Sequence, residues 1–375
     1  MPIPASLLID LNLCTIDSED DKRALLCETE RKLSLLAADR HLPSVLCTVG
    51  VLEDHACRAR LDVASALWER LKRHDAATPR MLLALEMGDS DARCADIDLV
   101  HCREVAVVVE LNQPEARIRQ YLLALRRASR AAAGDMRLSV YLKRSADSSA
   151  ALAVDHGRVS CIAEFADSIV LTLLFASAPA ADDDRSSEYG RLSAVINGSG
   201  LYRTAPCVFA RDELRTSGAH EASLAMPVPC LPTLEVIGLG PGAVSQFGPA
   251  RFANYAAPSA YRSDLARGGF ALAAASRLSA VDLLTAELLC RLHGGQAIDP
   301  PGLCTPYDGA LPERCATSLR AMLAGLHREG LLSARAGGSY ALAPSEDFRL
   351  GEVSARLRRW LASESDGEVL ALRQR

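Results

Sequence analysis

Paired cysteines, lysine, aromatic side chains and long apolar runs are all scarce in this chain. No two of its 12 cysteines lie within four positions of each other, and the closest pair is Cys94 and Cys102. There is no C-x-x-C, which excludes the compact zinc and iron–sulfur motifs. Only four of the 42 basic residues are lysine (Lys22, Lys32, Lys72, Lys143), and aromatics make up 5% of the 375 residues. The longest near-apolar run, Ile169 to Ala176, is interrupted by Thr172. It falls well short of the roughly 18 residues that span a bilayer, so no membrane contact is expected. The N-terminal MPIPASLLIDLNL has no basic leader and soon meets Asp10, which argues against a signal peptide. A cytoplasmic protein with reduced thiols is expected. The net charge of −5 argues against a nucleic-acid partner, although arginines cluster between Arg314 and Arg335 and between Arg356 and Arg359.

With 49% apolar and 24% charged residues, the chain is expected to fold around a sizeable core. Strand-like runs occur at Leu7–Leu13, Ser44–Val51, Arg80–Met87, Val105–Leu111, Arg137–Leu142 and Ile169–Phe175. Several are continuously apolar, as in VAVVVEL, so both faces must be covered, as in a parallel sheet. Helical spacing appears between them at Asp20–Leu36, Leu61–Leu71 and Pro114–Arg130. This alternation predicts an α/β fold with six β/α units, better suited to an incomplete barrel than to a doubly wound sheet. Ala178 to Ser187 reads as an acidic loop. Prolines 227, 229 and 232 exclude a helix interior from the stretch 217–232. From Ser279, an N-cap candidate, the chain reads as helical, with a hairpin at Gly337 and Gly338 and a last helix from Leu350 to Ser363. That is a winged-helix-like pattern. The expected division is 1–215 for the barrel, 216–275 for a connecting region completing its side, and 276–375 for the helical, winged C-terminal domain.

Gly238, Gly240 and Gly242 follow a strand. Their spacing is G-x-G-x-G with Pro241 inside, not the G-x-G-x-x-G that opens a dinucleotide site. A tight turn with close backbone approach is the alternative to cofactor binding. Four segments occur in order around it: FARDEL (Phe209–Leu214), IGLGPGAVSQFG (Ile237–Gly248), NYAAPSAY (Asn254–Tyr261) and RLSAVDLLTAELLCRL (Arg277–Leu292). Together they resemble the radical SAM family of oxygen-independent coproporphyrinogen III oxidases and their haem-handling relatives. The resemblance implies a radical-SAM-like (β/α)6 barrel with a C-terminal extension.

The N-terminal half departs from that family's pattern. ASLLIDLNLC (Ala5–Cys14) is similar to the family's first strand and the first cysteine of C-x-x-x-C-x-x-C. The next two cysteine positions hold Ser18 and Asp21. One thiolate cannot hold a cluster that needs three. The family's G-G-T-P stretch corresponds to Thr48, Val49, Gly50 and Val51. Its fourth-strand G-V-Q motif corresponds to Val108, Val109 and Glu110, and its fifth-strand cofactor-binding Asp to Ser139. Glu86, at the end of the third strand, is retained and is the candidate catalytic residue. The resemblance with these losses implies a degenerate paralogue with neither a [4Fe–4S] cluster nor SAM.

Candidate cofactor-binding residues are Gly238, Gly240, Gly242, Arg211 and Cys14. Arg203 and Arg251 lie near the same motifs and suit carboxylates. Candidate metal or haem donors are His55, His101 and Cys102, with surface histidines as the alternative. Cys14, Cys47 and Cys161 are candidates to converge at the barrel top, with core filler as the alternative. The expected function is an accessory or ligand-binding pseudoenzyme, taking a tetrapyrrole or another small molecule and working with an active radical SAM or biosynthetic partner protein. The alternative is a tailoring enzyme with haem or another metal in the emptied barrel.

Overall fold

The computed structural model describes residues 7–11, 18–39, 45–52, 80–86, 102–131, 137–143, 155–176, 182–211, 235–307, 311 and 313–364. Six apolar runs become parallel strands: β1 (Leu7–Leu11), β2 (Val45–Leu52), β3 (Arg80–Glu86), β4 (Cys102–Glu110), β5 (Arg137–Lys143) and β6 (Ser168–Val170). Val105, Val107 and Val109 of β4 and Leu138, Val140 and Leu142 of β5 are fully buried. Helices cover their outer face, chiefly α2 (Glu115–Ala131) and α3 (His156–Phe165), after α1 (Glu19–Asp39). The inner face carries Ala106, Val108, Tyr141 and Val170, packed together with Ala205 and Val208.

The predicted strand Ile169–Phe175 is too long. Only its first two residues belong to β6, and Thr172–Ala176 turns into helix α4. The predicted acidic loop is also corrected. From Asp182 onward it forms helix α5 (Asp182–Gly198), whose aspartates occupy the first turn, where the helix dipole favours negative charge. The predicted helix Leu61–Leu71 lies outside the described residues.

Both ends of the parallel run are extended. The antiparallel hairpin β7 (Tyr202–Ala205) and β8 (Val208–Ala210) adds to β6. On the other side β9 (Glu235–Leu239) pairs parallel to β1, followed by antiparallel β10 (Val244–Phe247), β11 (Ala250–Asn254) and β12 (Leu272–Arg277). The result is one 12-stranded sheet whose ends, β12 and β7, do not pair, so the described strands form no closed barrel. Helix α6 (Pro258–Ala266) lies between β11 and β12.

The C-terminal part builds its own core from α7 (Ala280–His293), α8 (Pro300–Cys304), α9 (Glu313–Arg328), the hairpin β13 (Leu332–Ala334) and β14 (Tyr340–Leu342), and α10 (Leu350–Glu364). Ser279 caps α7 reciprocally with Asp282, as its spacing predicts. Gly337 and Gly338 both adopt φ of 77° in the hairpin turn.

Asp347 couples this part to the sheet. It is fully buried and accepts Arg203 Nε at 2.5 Å and Nη2 at 2.8 Å, the Tyr189 hydroxyl at 2.7 Å and the Cys207 N–H at 3.3 Å. Burial, then Asp347 beside it, pushes the Tyr189 hydroxyl well above its ordinary range, so it stays a donor. Removing one partner of a buried, hydrogen-bonded ion pair costs about 3–5 kcal/mol. Asp347→Ala should therefore lower the urea midpoint sharply, with Asp347→Asn intermediate. Midpoints within error of the parent would refute this role.

His293 stands at the end of α7, its Nε2 3.1 Å from Ser354 Oγ of α10. Burial, with Arg358 nearby, lowers its pKa to about 4. The folded value lies below the unfolded one, so stability is full above about pH 6.5 and falls as pH drops towards 4. His293→Gln should flatten that part of the stability–pH curve. An unchanged slope would exclude His293 as its source.

Candidate functional site

Two places gather polar groups near the C-terminal ends of the parallel strands. The first lies beside β1. Helix α1 carries a stripe, Asp21, Leu25, Glu28 and Lys32, at helical spacing. Glu28 is fully buried, and its carboxylate accepts the Gly240 N–H at 2.9 Å, Asn254 Nδ2 at 2.8 Å and the Tyr261 hydroxyl at 2.5 Å. Lys32 Nζ pairs with it at 2.6 Å and donates to the Gly238 carbonyl at 2.9 Å and to Asn254 Oδ1 at 3.2 Å. Burial, then the Glu28 charge, raises the Tyr261 pKa well above its ordinary range, so the phenol donates.

This network fixes the glycine turn. A β-carbon on Gly238 would stand 2.5 Å from the Val244 carbonyl oxygen, so only glycine fits. Gly240 and Gly242 adopt φ of 102° and 72°. The Gly240 N–H goes to Glu28, and the Gly238 N–H donates to Ser245 Oγ at 3.1 Å. Of the two sequence readings, the tight turn with close backbone approach accounts for these contacts.

Residues Ser18 and Asp21 open α1. Ser18 Oγ accepts the Asp21 N–H at 3.1 Å, and the two side chains hydrogen-bond at 2.5 Å. Asp21 also receives Arg262 Nη1 of α6 at 2.5 Å. Arg31 continues the clamp, donating to the Leu265 carbonyl at 2.9 Å and the Gly269 carbonyl at 2.7 Å. The two positions thus form a helix cap and an ion pair between α1 and α6.

The second place is the inner face at the ends of β3, β4 and β5. Glu86 pairs in register with Val108, and Glu110 with Lys143. Glu110 and Lys143 stand 3.6 Å apart. Two residues below Lys143 is Tyr141, and deeper still Ser168 Oγ donates to Ser139 Oγ at 2.7 Å.

Other sequence candidates fall elsewhere. Arg211 Nε donates to the Ala166 carbonyl at 3.2 Å and its Nη2 to the Ala163 carbonyl at 3.1 Å, tying down the end of α3. Arg203 holds Asp347 and Arg251 sits within β11, opposite Gln246 and Ser276. Cys161 is buried in the middle of α3, and Cys47 belongs to β2. Cys14, His55 and His101 lie outside the described residues, and Cys102 begins β4. Among the described residues no group of three or more His, Cys, Asp and Glu is arranged to hold a metal. None of their helices is long and apolar enough to cross a membrane.

Sequence reading missed Glu28 and Lys32. Their signal is a charged pair four residues apart on the stripe that Leu25 marks as buried. Glu28→Gln should destabilise by about 3–5 kcal/mol, since it leaves the Lys32 ammonium without its counter-charge. Glu28→Gln/Lys32→Met should cost less than the sum of the single changes, read by urea unfolding. Strict additivity would show that the two side chains are not coupled.

No protein-family model matches this chain, and no curated protein matches it. Its fold is similar to that of coproporphyrinogen III oxidase (HemN) from Escherichia coli, a radical SAM enzyme, with a TM-score of 0.66 and 15% identity over 95% of this chain and 91% of that one.

Proposed function

We propose that this protein is an accessory or ligand-binding pseudoenzyme on a coproporphyrinogen-oxidase-like scaffold, without iron–sulfur or SAM chemistry. The observation that carries the reading is the state of Ser18 and Asp21. In the register of the sequence resemblance they occupy two of three cluster-ligand positions, and both are engaged in capping α1 and pairing with Arg262. A hydroxyl and a paired carboxylate do not fit the thiolate set of such a cluster. The inner face is changed in the same register. In that register Glu110 and Ser139 correspond to cofactor-contacting positions, and Lys143 ends β5 four residues after Ser139. Fold likeness does not carry the chemistry over once the site is replaced.

The ligand of this reading is a tetrapyrrole or another small molecule bound at the strand ends. The partner is an active radical SAM or biosynthetic protein, and the compartment is the cytoplasm. The helices of the C-terminal part and their β13–β14 hairpin support a winged-helix-like reading of that region.

Anaerobic reconstitution with ferrous iron and sulfide tests the proposal. The expected result is no stoichiometric iron and no iron–sulfur charge-transfer absorption. A stoichiometric cluster that binds SAM would overturn it. Titrating the same preparation with haemin separates the ligands. A sharp, saturating Soret band supports a tetrapyrrole, and its absence leaves the other small molecules.

A further inference from the structure

A cavity unrelated to the strand-end groups lies at the opposite end of the parallel run. Helix α2 precedes β5 and α3 precedes β6, so the last turns of both helices lie where those strands begin. Leu123, Arg126 and Arg127 of α2, at i, i+3 and i+4, share one face of that helix, and Glu164 and Phe165 close α3. Together they line a cavity of about 360 Å³, within the range of small-molecule sites.

The walls of this cavity are held by contacts within the fold. Arg126 Nε donates to the Phe165 carbonyl at 2.7 Å, and its Nη2 meets Asp167 Oδ1 at 2.8 Å. Asp167 also accepts the Leu138 N–H of β5 at 2.7 Å. Arg119 Nη1 meets Glu164 Oε2 at 3.1 Å, and its guanidinium lies over the Phe165 ring, 5.7 Å from the centroid. Arg211, 3.9 Å from Asp167, is taken up by the carbonyls ending α3. Glu164 and Asp167 thus each have an arginine of their own, and Arg127 is left over. It is exposed and has no hydrogen bond or ion pair among the described residues. Leu123 and Phe165 beside it are half-buried and offer apolar surface to the cavity. An arginine that serves only solubility needs neither the cavity nor the apolar wall.

We propose that this cavity binds a small organic monoanion, a carboxylate carried on an aryl or short acyl body. The Arg127 fork takes the carboxylate oxygens, and the body lies against Leu123 and Phe165. One unpaired cation matches one negative charge. A phosphate dianion would meet the Glu164 carboxylate on the same wall, so the site selects by repulsion as well as attraction. Arg119, Arg126 and Asp167 fix the walls before a ligand arrives, so little ordering is needed on binding. The site goes beyond the pseudoenzyme reading, whose ligand binds at the other ends of the strands, and stands or falls separately from it.

Titration calorimetry on the full chain with benzoate, 3-phenylpropionate and hexanoate tests this. Acetate supplies the charge without the body, benzyl alcohol the body without the charge, and phenyl phosphate a second negative charge. At least one of the three carboxylates should saturate, with each control weaker by roughly tenfold or more. Arg127→Gln should weaken that carboxylate by roughly ten- to a hundredfold, the scale of one lost charge-assisted bond, and Arg127→Lys by less. Glu164→Gln should strengthen phenyl phosphate more than the carboxylate. Arg127 and Glu164 are both exposed, so melting temperatures should stay close to the parent's and separate lost binding from lost fold. No carboxylate binding, benzyl alcohol or phenyl phosphate binding as tightly as the carboxylates, or binding unmoved by Arg127→Gln would overturn the proposal.

Discussion

A carboxylate taken wholly out of water must be met by donors on its lone pairs, or the fold loses several kcal/mol. Glu28 and Asp347 both stand under that constraint, at opposite sides of the parallel run. Glu28 gathers the glycine turn after β9, Asn254 of β11 and Tyr261 of α6 onto the first β/α unit. Asp347 gathers the β7–β8 hairpin and α5 onto the C-terminal part. Each draws together segments far apart in the chain, so the sheet's added strands and the C-terminal part are fixed by charge satisfaction as much as by apolar packing. On the Asp347 side Phe175 packs edge-on against Tyr189 and Phe348, whose own rings are tilted to each other, so the carboxylate end of the pair is buried.

The parallel strands were legible in the sequence because their signal is local. Continuous Val- and Leu-rich runs of four to eight residues say strand wherever the partners come from. The Ile169–Phe175 run misled because periodicity cannot separate a short buried strand from the first turn of a buried helix. The acidic stretch from Asp182 misled for another reason: aspartates that suit a loop also suit a helix N-terminus. The polar networks were not legible. Glu28 and Gly240 are 212 positions apart, and Arg203 and Asp347 are 144 apart. No window of one chain reports such pairs. What the sequence does hold is the anomaly, a Glu and a Lys on an otherwise buried stripe.

The arginines show the same limit from the other side. Arg203 and Arg211 lie close to the motifs that suggested a carboxylate ligand, and both are engaged within the fold, one by Asp347 and one by the carbonyls ending α3. Their planar forks suit internal carboxylates and carbonyls as well as external ones. Composition cannot tell these uses apart; burial and partner identity can.

Ser18 and Asp21 bear on function because of what they do for α1. The cap satisfies a backbone N–H that the first turn leaves open, and the Asp21–Arg262 pair starts a clamp that Glu28–Tyr261 and Arg31–Leu265 continue along the same face. Thiolates at those two positions would remove the cap acceptor and leave Arg262 without its carboxylate. In the register of the proposed reading, a helix docked this way and a three-thiolate cluster make different demands on the same two residues. On that reading, placing cysteines at both positions would also call for a compensating change at Arg262 of α6, which donates to Asp21.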